Sequence, residues 1–165
     1  MAADAGPDAL HTIAADLEYP MAIVTTASGG DRGGCLIGFA SQCSIDPPLI
    51  VVWLSKANRT TRVAAGASGL LVHFLGRHDR PLAELFGGQT GDQVDKFARC
   101  EWEEGPEGLP LLAGCSRWVA GHIVERFETG DHVGHLLRLF DGAAGEWAGQ
   151  LGFQAVKDIE PGHPA

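Results

Sequence analysis

The string SKANRTTR, residues Ser55–Arg62, carries the side chains best suited to chemistry in this sequence. Lys56, Arg59 and Arg62 are three of only 12 basic residues, and hydroxyl and amide groups lie between them. The string is predicted to follow a buried strand and open a helix, where backbone N–H groups and the helix dipole favour a phosphate. The alternative is an ordinary helix cap beside a solvated basic face. The string is therefore a candidate anion site.

Length and charge limit the classes of protein to which this chain can belong. Its 165 residues, 45% of them hydrophobic, are the size of a single folded domain. With 12 basic and 21 acidic residues the net charge is −9, which repels nucleic acid and anionic lipid. The densest apolar run is too short to cross a bilayer, and no signal-peptide pattern opens the chain. We therefore expect one cytoplasmic domain over residues 1–165, with neither nucleic acid nor a membrane as partner.

The cysteines favour a reduced, metal-free protein. No Cys-x-x-Cys pair is present, and four cysteines lie in apolar or mixed stretches: Cys35, Cys43, Cys100 and Cys115. We interpret them as small hydrophobic thiols. The alternative is a zinc site that joins Cys115 to histidines of the last predicted hairpin. Its spacing is unfavourable, because His132 and His135 differ by three positions and would point to opposite faces of a strand. We therefore expect no metal site.

The ends of the chain are predicted to differ from its centre. Asp8 can cap a short helix in which Leu10, Ile13 and Leu17 form one apolar stripe, and we expect that stripe to pack on a sheet. Residues 1–18 would then be a helical extension. The residues from about 142 to 165 show no clear period and are predicted to form an irregular tail.

The centre of the chain is predicted to be mainly β. Extended apolar or alternating runs give the predicted strands Met21–Ala27, Cys35–Ser41, Leu49–Leu54, Leu70–Leu75, Trp118–Phe127 and His132–Phe140. Short helices are predicted over Thr60–Ala67 and Pro81–Phe86. Strands joined by hairpins without a repeated βαβ unit favour an antiparallel barrel decorated by short helices, in the α+β sense. No G-x-G-x-x-G or Walker sequence is present, so a nucleotide would need another device.

Several short motifs, in this order and spacing, resemble those of the flavin reductase-like family of FMN-binding split barrels. They are FASQCSIDPPL at 39–49, SKANRT at 55–60, LLVHFL at 70–75, LAELFGG at 82–88, DKF at 95–97, LPLLAG at 109–114 and GDH at 130–132. The resemblance extends from about Tyr19 to Phe140. It implies a homodimer of six-stranded antiparallel split barrels with Greek-key character, which would bind FMN or FAD at the subunit interface.

The resemblance also implies roles for individual residues. It implies a cradle for the flavin phosphate, called below the predicted phosphate cradle, formed by Ser55, Lys56, Ala57, Asn58, Arg59 and Thr60. One stretch would follow the flavin ring and ribityl chain: Gly38, Phe39, Ala40, Ser41, Gln42, Cys43 and Ser44. His73 and Phe74 would lie on a strand beside the flavin, and His132 would contact the nicotinamide. His73 stands where many members have Asn. We interpret Phe39 as the residue most suited to stack on the ring, and the four tryptophans, Trp53 among them, as core and interface anchors.

The chemistry that the resemblance implies asks little of protein side chains. Hydride transfer from a dihydronicotinamide to a flavin needs aligned rings and donors at the ring edge, and no acid–base pair. The predicted function is therefore an NADH- or NADPH-dependent flavin reductase that supplies reduced flavin to a partner monooxygenase. The alternative is a split barrel that binds flavin, deazaflavin or another cofactor without catalysis.

Overall fold

The structure is a computed structural model that describes residues 5–163. Within that range the chain forms nine strands: β1 Ala22–Ser28, β2 Asp31–Ile37, β3 Ala40–Ser44, β4 Leu49–Ser55, β5 Gly69–Phe74, β6 Trp102–Glu104, β7 Pro110–Leu112, β8 Arg117–Glu128 and β9 His132–Ala144. The α-helices are α1 Ala5–Asp16, α2 Arg59–Ala65 and α3 Arg80–Gly88. Single 3-10 turns span Arg77–Asp79, Lys96–Arg99, Pro106–Gly108 and Phe153–Ala155.

Seven of the strands form one antiparallel sheet in the order β2-β1-β5-β8-β9-β4-β3, and β6 pairs with β7 apart from it. Strands β5, β8 and β9 follow in chain order and β4 lies beside β9, which is a Greek-key arrangement. The sheet curls until β2 contacts β4, so side chains from both of its halves share one apolar interior. The predicted mainly β, antiparallel fold is confirmed, with seven strands in the main sheet instead of six.

The predicted strand Cys35–Ser41 is wrong in one respect, because the structure divides it into two strands on opposite edges of the sheet. Strand β2 ends at Ile37 and β3 begins at Ala40. Gly38 fits the crossing because an added Cβ would lie 2.8 Å from Cε2 of Tyr19. Gly38 and Phe39 therefore lie at the seam between the two edges.

Alternation along β4 separates the interior from the outer face of the sheet. Ile50, Val52 and Leu54 are buried, whereas the alternate residues of the strand, including Trp53 and Ser55, are half-buried. The pairing of β4 with β9 sets Trp53 opposite Gly134 and Ser55 opposite His132. These four residues lie together on the outer face.

The segment from about residue 142, predicted to be an irregular tail, is packed against the body of the domain although most of it forms neither helix nor strand. Strand β9 continues to Ala144, and Gln150 and Gly152 each form an antiparallel bridge with the body of the domain. Leu151 and Val156 are buried in a second apolar cluster. Hydrogen bonds and burial that sequence periodicity does not reveal thus order this segment; residues 164–165 lie outside the described residues.

Helix α1 exists, but the prediction that it packs on the sheet is wrong. None of its residues is buried, and its apolar stripe is open, with Leu10 64% and Ile13 55% exposed. The chain around its end is tied to the domain by Nε2 of Gln154, which donates to the carbonyls of Ala15 and Leu17 at 2.9 Å. Residues 1–4 of the predicted extension lie outside the described residues. No helix within residues 5–163 is long and apolar enough to cross a membrane.

Candidate functional site

A largely apolar cleft of about 450 Å³ opens at the seam between the sheet edges. This volume is typical of small-molecule sites. The chain has 21 acidic residues, yet none of the described residues that line the cleft is Asp or Glu. The cleft is lined by Tyr19, Met21, Cys35, Leu36, Ile37, Gly38, Phe39, Trp53, Ser55, Asn58, Gly87, His132, Phe153, Val156, Lys157, Ile159, Pro161 and His163.

Aromatic rings form much of the cleft wall. The Phe39 ring centroid lies 5.2 Å from that of His132 and 6.4 Å from that of Tyr19, which stacks on Phe153 at 4.7 Å. Trp53 joins this wall, so its interpretation as a core or interface anchor missed its place in the cleft. Its position on the same face of β4 as Ser55 was the signal that could have found it. The wall suits a flat aromatic ligand.

His132 is fixed at the cleft by the turn between β8 and β9. Its Nδ1 lies 2.6 Å from Oδ1 of Asp131, and this hydrogen bond lowers the pKa of the Asp131 carboxyl. The backbone N–H of Lys56 donates to the Asp131 carbonyl at 2.8 Å, which ties the turn to the end of β4. With Nδ1 engaged, Nε2 is the ring nitrogen left for a ligand.

In the predicted phosphate cradle, backbone amides that could bind a phosphate already donate hydrogen bonds within the segment. The amide of Ala57 donates to Oγ of Ser55 at 3.3 Å, and the amide of Thr60 donates to Oδ1 of Asn58 at 3.1 Å. Asn58 is therefore a helix cap, as the alternative interpretation had it. The expectation of free backbone donors is wrong at these positions, but Ser55 and Asn58 do line the cleft.

The basic side chains of this string are directed elsewhere. Nζ of Lys56 pairs with Glu128 at 2.8 Å, Arg59 pairs with Asp31 at 3.2 Å, and Arg62 pairs with Asp92. The basic side chains that were predicted to bind a phosphate are therefore already paired with carboxylates. Arg59 and Thr60 line a separate polar cavity of about 360 Å³, and Lys56 and Ala57 line neither cavity.

The stretch predicted to follow the flavin is only partly at the cleft. Gly38 and Phe39 line it, whereas the rest of the stretch forms the edge strand β3 outside it: Ala40, Ser41, Gln42, Cys43 and Ser44. Phe74 also lies outside the cleft, where it packs against the main apolar interior. The change of sheet edge at the seam takes β3 away from the cleft.

His73, which the resemblance places beside a flavin, is a buried structural residue outside the cleft. The residue is 0% exposed. Its Nδ1 donates to the Ile23 carbonyl at 3.0 Å, and its Nε2 accepts from the Leu112 amide at 3.0 Å. Burial lowers the pKa of the imidazole to about 4. Both nitrogens are used, so none remains for a ligand.

The described part of the chain contains no cluster of side chains suited to bind a metal ion. No group of three or more His, Cys, Asp or Glu side chains within residues 5–163 is arranged to hold a metal ion. The four cysteines are free thiols, and burial raises the pKa of Cys35 to about 11 and that of Cys115 to about 12. Such thiols are protonated near neutral pH and are weak ligands.

A curled antiparallel sheet with an aromatic cleft at its seam, whose described lining residues include no carboxylate, has the architecture of a small split barrel with room for a flat ligand. The chain belongs to the flavin reductase like domain family, which matches residues 14–154. Its fold is that of a flavin reductase domain protein from Arthrobacter sp. FB24, with a TM-score of 0.82, 21% identity, and 90% and 91% of the two chains covered.

Relatives in sequence include reductase components. The chain is 30% identical over 135 residues to the 4-hydroxyphenylacetate 3-monooxygenase reductase component of Salmonella typhimurium, which covers 80% of this chain and 76% of that protein. It is 28% identical over 114 residues to a Rhizobium meliloti protein named "Probable flavin reductase", which covers 67% of this chain. The chain spans only 36% of the length of that second relative.

Proposed function

We propose that this chain is an NAD(P)H-dependent flavin reductase that holds FMN or FAD in the cleft and uses NADH or NADPH as co-substrate. The observation that carries the proposal is the cleft itself, whose aromatic wall contains no carboxylate among the described residues. Membership of the flavin reductase like domain family supports the same function. A bound flavin supplies the hydride acceptor, its N5 atom.

The residues at the cleft fit that cofactor. Trp53 and Phe39 offer ring faces to the isoalloxazine, and Gly38 lets the backbone approach without a Cβ. Ser55 and Asn58 offer hydroxyl and amide groups at the end of β4. Because Nδ1–H of His132 donates to the Asp131 carboxylate, Nε2 of the neutral ring can accept one hydrogen bond from the nicotinamide nucleotide. Together these residues orient two stacked rings and exclude water, which is the main requirement of direct hydride transfer.

We further propose that the reduced flavin goes to a separate monooxygenase in the cytoplasm. Support comes from the relative named as the reductase component of a 4-hydroxyphenylacetate 3-monooxygenase. The cleft favours such an exchange because it is open along the seam.

The catalytic proposal predicts that replacement of His132 by Ala affects nucleotide use more than flavin binding. One neutral hydrogen bond contributes about 0.5 to 1.5 kcal/mol, so kcat/KM for the nucleotide should fall roughly two- to ten-fold. Anaerobic single-turnover reduction of the flavin-loaded protein, at varied NADH and NADPH, measures this. His122→Ala is the matched control, because His122 pairs with Glu107 at 2.9 Å and lies outside the cleft.

Two results would count against this catalytic proposal. If neither nucleotide reduces the flavin-loaded wild type, the chain is a cofactor-binding barrel without catalysis. If His132→Ala loses flavin affinity and keeps its response to nucleotide, His132 belongs to the flavin site.

We also propose that the protein is a homodimer that pairs through the outer face of β4, β9 and β8. Apolar side chains continue along this face from the cleft residue Trp53 to Val51, Leu136 and Phe127, which is 37% exposed. A second copy on this face would cover these side chains and adjoin the cleft. The arrangement agrees with the subunit-interface site that the family resemblance implies.

The dimer proposal predicts that Phe127→Asp weakens self-association. A charge at the centre of an apolar contact costs about 2 kcal/mol or more, so the dimer dissociation constant should rise at least about thirty-fold. Sedimentation at several concentrations measures it, with Leu10→Asp on the exposed stripe of α1 as control. A wild-type monomer with full flavin affinity would refute the proposal.

A further inference from the structure

The segment that follows Gly152 forms one wall of the cleft and is held in place by the body of the domain. Val156 is buried in the second apolar cluster. Arg80 of α3 donates to the Ala155 carbonyl and pairs with Asp158 at 2.9 Å. Lys157 lies between these two neighbours and is one of the residues that line the cleft. The backbone position of Lys157 is therefore set by contacts that do not involve its own side chain.

The far end of this segment reaches the predicted phosphate cradle. The amide of Gly162 donates to the Gly87 carbonyl at 3.1 Å, in the last turn of α3. His163 then meets the cap of α2, with its Nε2 3.1 Å from Nδ2 of Asn58. The segment therefore crosses the cleft from the second apolar cluster to the end of β4, and Lys157 lies on this path.

Lys157 differs from the basic residues of the cradle in its electrostatic surroundings. It is the one Lys or Arg among the described residues that line the cleft, and no Asp or Glu accompanies it there. It forms no ion pair or hydrogen bond with any residue in the range 5–163. Lys56 and Arg59, by contrast, are both paired with carboxylates. The ammonium group of Lys157, at an exposed position, is thus the Lys or Arg charge available at this cleft among the described residues.

We propose that Lys157 binds the phosphate of the flavin nucleotide and so distinguishes FMN and FAD from riboflavin. This inference rests on the proposed function. An ammonium on a flexible four-carbon stem is well suited to a phosphate, and a charge-assisted hydrogen bond is stronger where no carboxylate competes. The charge that recognises phosphate would then come from the segment after Gly152, and the cradle would contribute Ser55 and Asn58.

Flavin titrations of single variants test this assignment. Lys157→Ala should weaken FMN and FAD binding about five- to thirty-fold, with riboflavin affinity changed less than about two-fold, because only the phosphate contact is lost. Lys157→Arg should restore most of the FMN affinity. Arg99→Ala, which removes an exposed cation outside both cavities, should leave all three affinities unchanged. Flavin fluorescence at two salt concentrations gives the dissociation constants.

The possible outcomes separate this assignment from the proposed function. Wild-type protein that binds FMN more tightly than riboflavin, together with an unchanged Lys157→Ala, would overturn the assignment alone. Equal losses of affinity for FMN and for riboflavin in that variant would also overturn it, since Lys157 would then contribute to the shape of the cleft without binding the phosphate. Wild-type protein that binds none of the three flavins would overturn the proposed function and the assignment with it.

Discussion

Urea unfolding at a series of pH values is expected to show that His73 makes the wild-type protein lose about 3 kcal/mol of stability between pH 6.5 and pH 4. The imidazole is fully buried between Ile23 and Leu112, and burial lowers its pKa to about 4 from the ordinary 6.5. In this window the unfolded chain binds a proton that the folded chain does not. The stabilisation is therefore complete above pH 6.5 and is lost as the pH falls to about 4.

The variant His73→Gln isolates this contribution. Glutamine offers one donor and one acceptor but does not titrate, so the variant should lose about 1 to 2 kcal/mol at pH 7.5 and then show a flatter acid profile. By pH 4 the stability difference should have changed by about 3 kcal/mol in favour of the variant, so that the variant becomes more stable than the wild type. His78→Gln, at an exposed position, should keep the wild-type profile. Parallel profiles for His73→Gln and wild type would show that His73 takes its proton at an ordinary pH.

Lys96→Met is expected to destabilise the protein by about 2 to 3 kcal/mol. Lys96 is only 4% exposed, and its Nζ donates to the Gly34 carbonyl at 3.0 Å and to the Phe86 carbonyl at 2.9 Å. Phe86 lies in the last turn of α3, where carbonyls lack helical partners. Methionine keeps the apolar stem but leaves both carbonyls without this donor. Burial lowers the pKa of Lys96, which limits its net contribution.

Lys56→Met is the matched control for Lys96. Nζ of Lys56 also donates to a carbonyl, that of Thr129 at 3.1 Å, but this lysine is exposed and its ion pair with Glu128 is solvated. Water can replace both contacts, so the change should cost about 0.5 kcal/mol or less. Chemical denaturation at neutral pH compares the two variants. Equal effects would mean that the carbonyls at Gly34 and Phe86 find other donors.

Local patterns in the sequence predict most of the strands. The alternation over Leu49–Ser55 and the long hairpin of β8 and β9 are both present, because each depends on neighbouring residues alone. The change of sheet edge after Ile37 is not predictable in this way. Residues on both sides of Gly38 are extended, and only pairing with strands far along the chain separates β2 from β3. The alternation of apolar and polar residues along a strand does not reveal which edge of the sheet that strand joins.

The sequence predicted which segment supplies polar residues to the candidate site, but it did not predict which positive charges are available there. The string after β4 does adjoin the cleft through Ser55 and Asn58. Its cations, however, are paired with carboxylates distant in sequence, as Lys56 is with Glu128. Such pairs leave no local signal. Lys157 also lay outside every recognised motif, because its place depends on how Arg80 holds the neighbouring backbone.

The way in which the segment after Gly152 is anchored has a consequence for how such proteins diverge. Its path depends on backbone groups at Ala155 and Gly162 and on the buried Val156. Residue 157 adds a side chain to the cleft without contributing to that path. Descendants of this chain can therefore exchange this one side chain by mutation and acquire a different ligand preference, while the scaffold remains under separate selection.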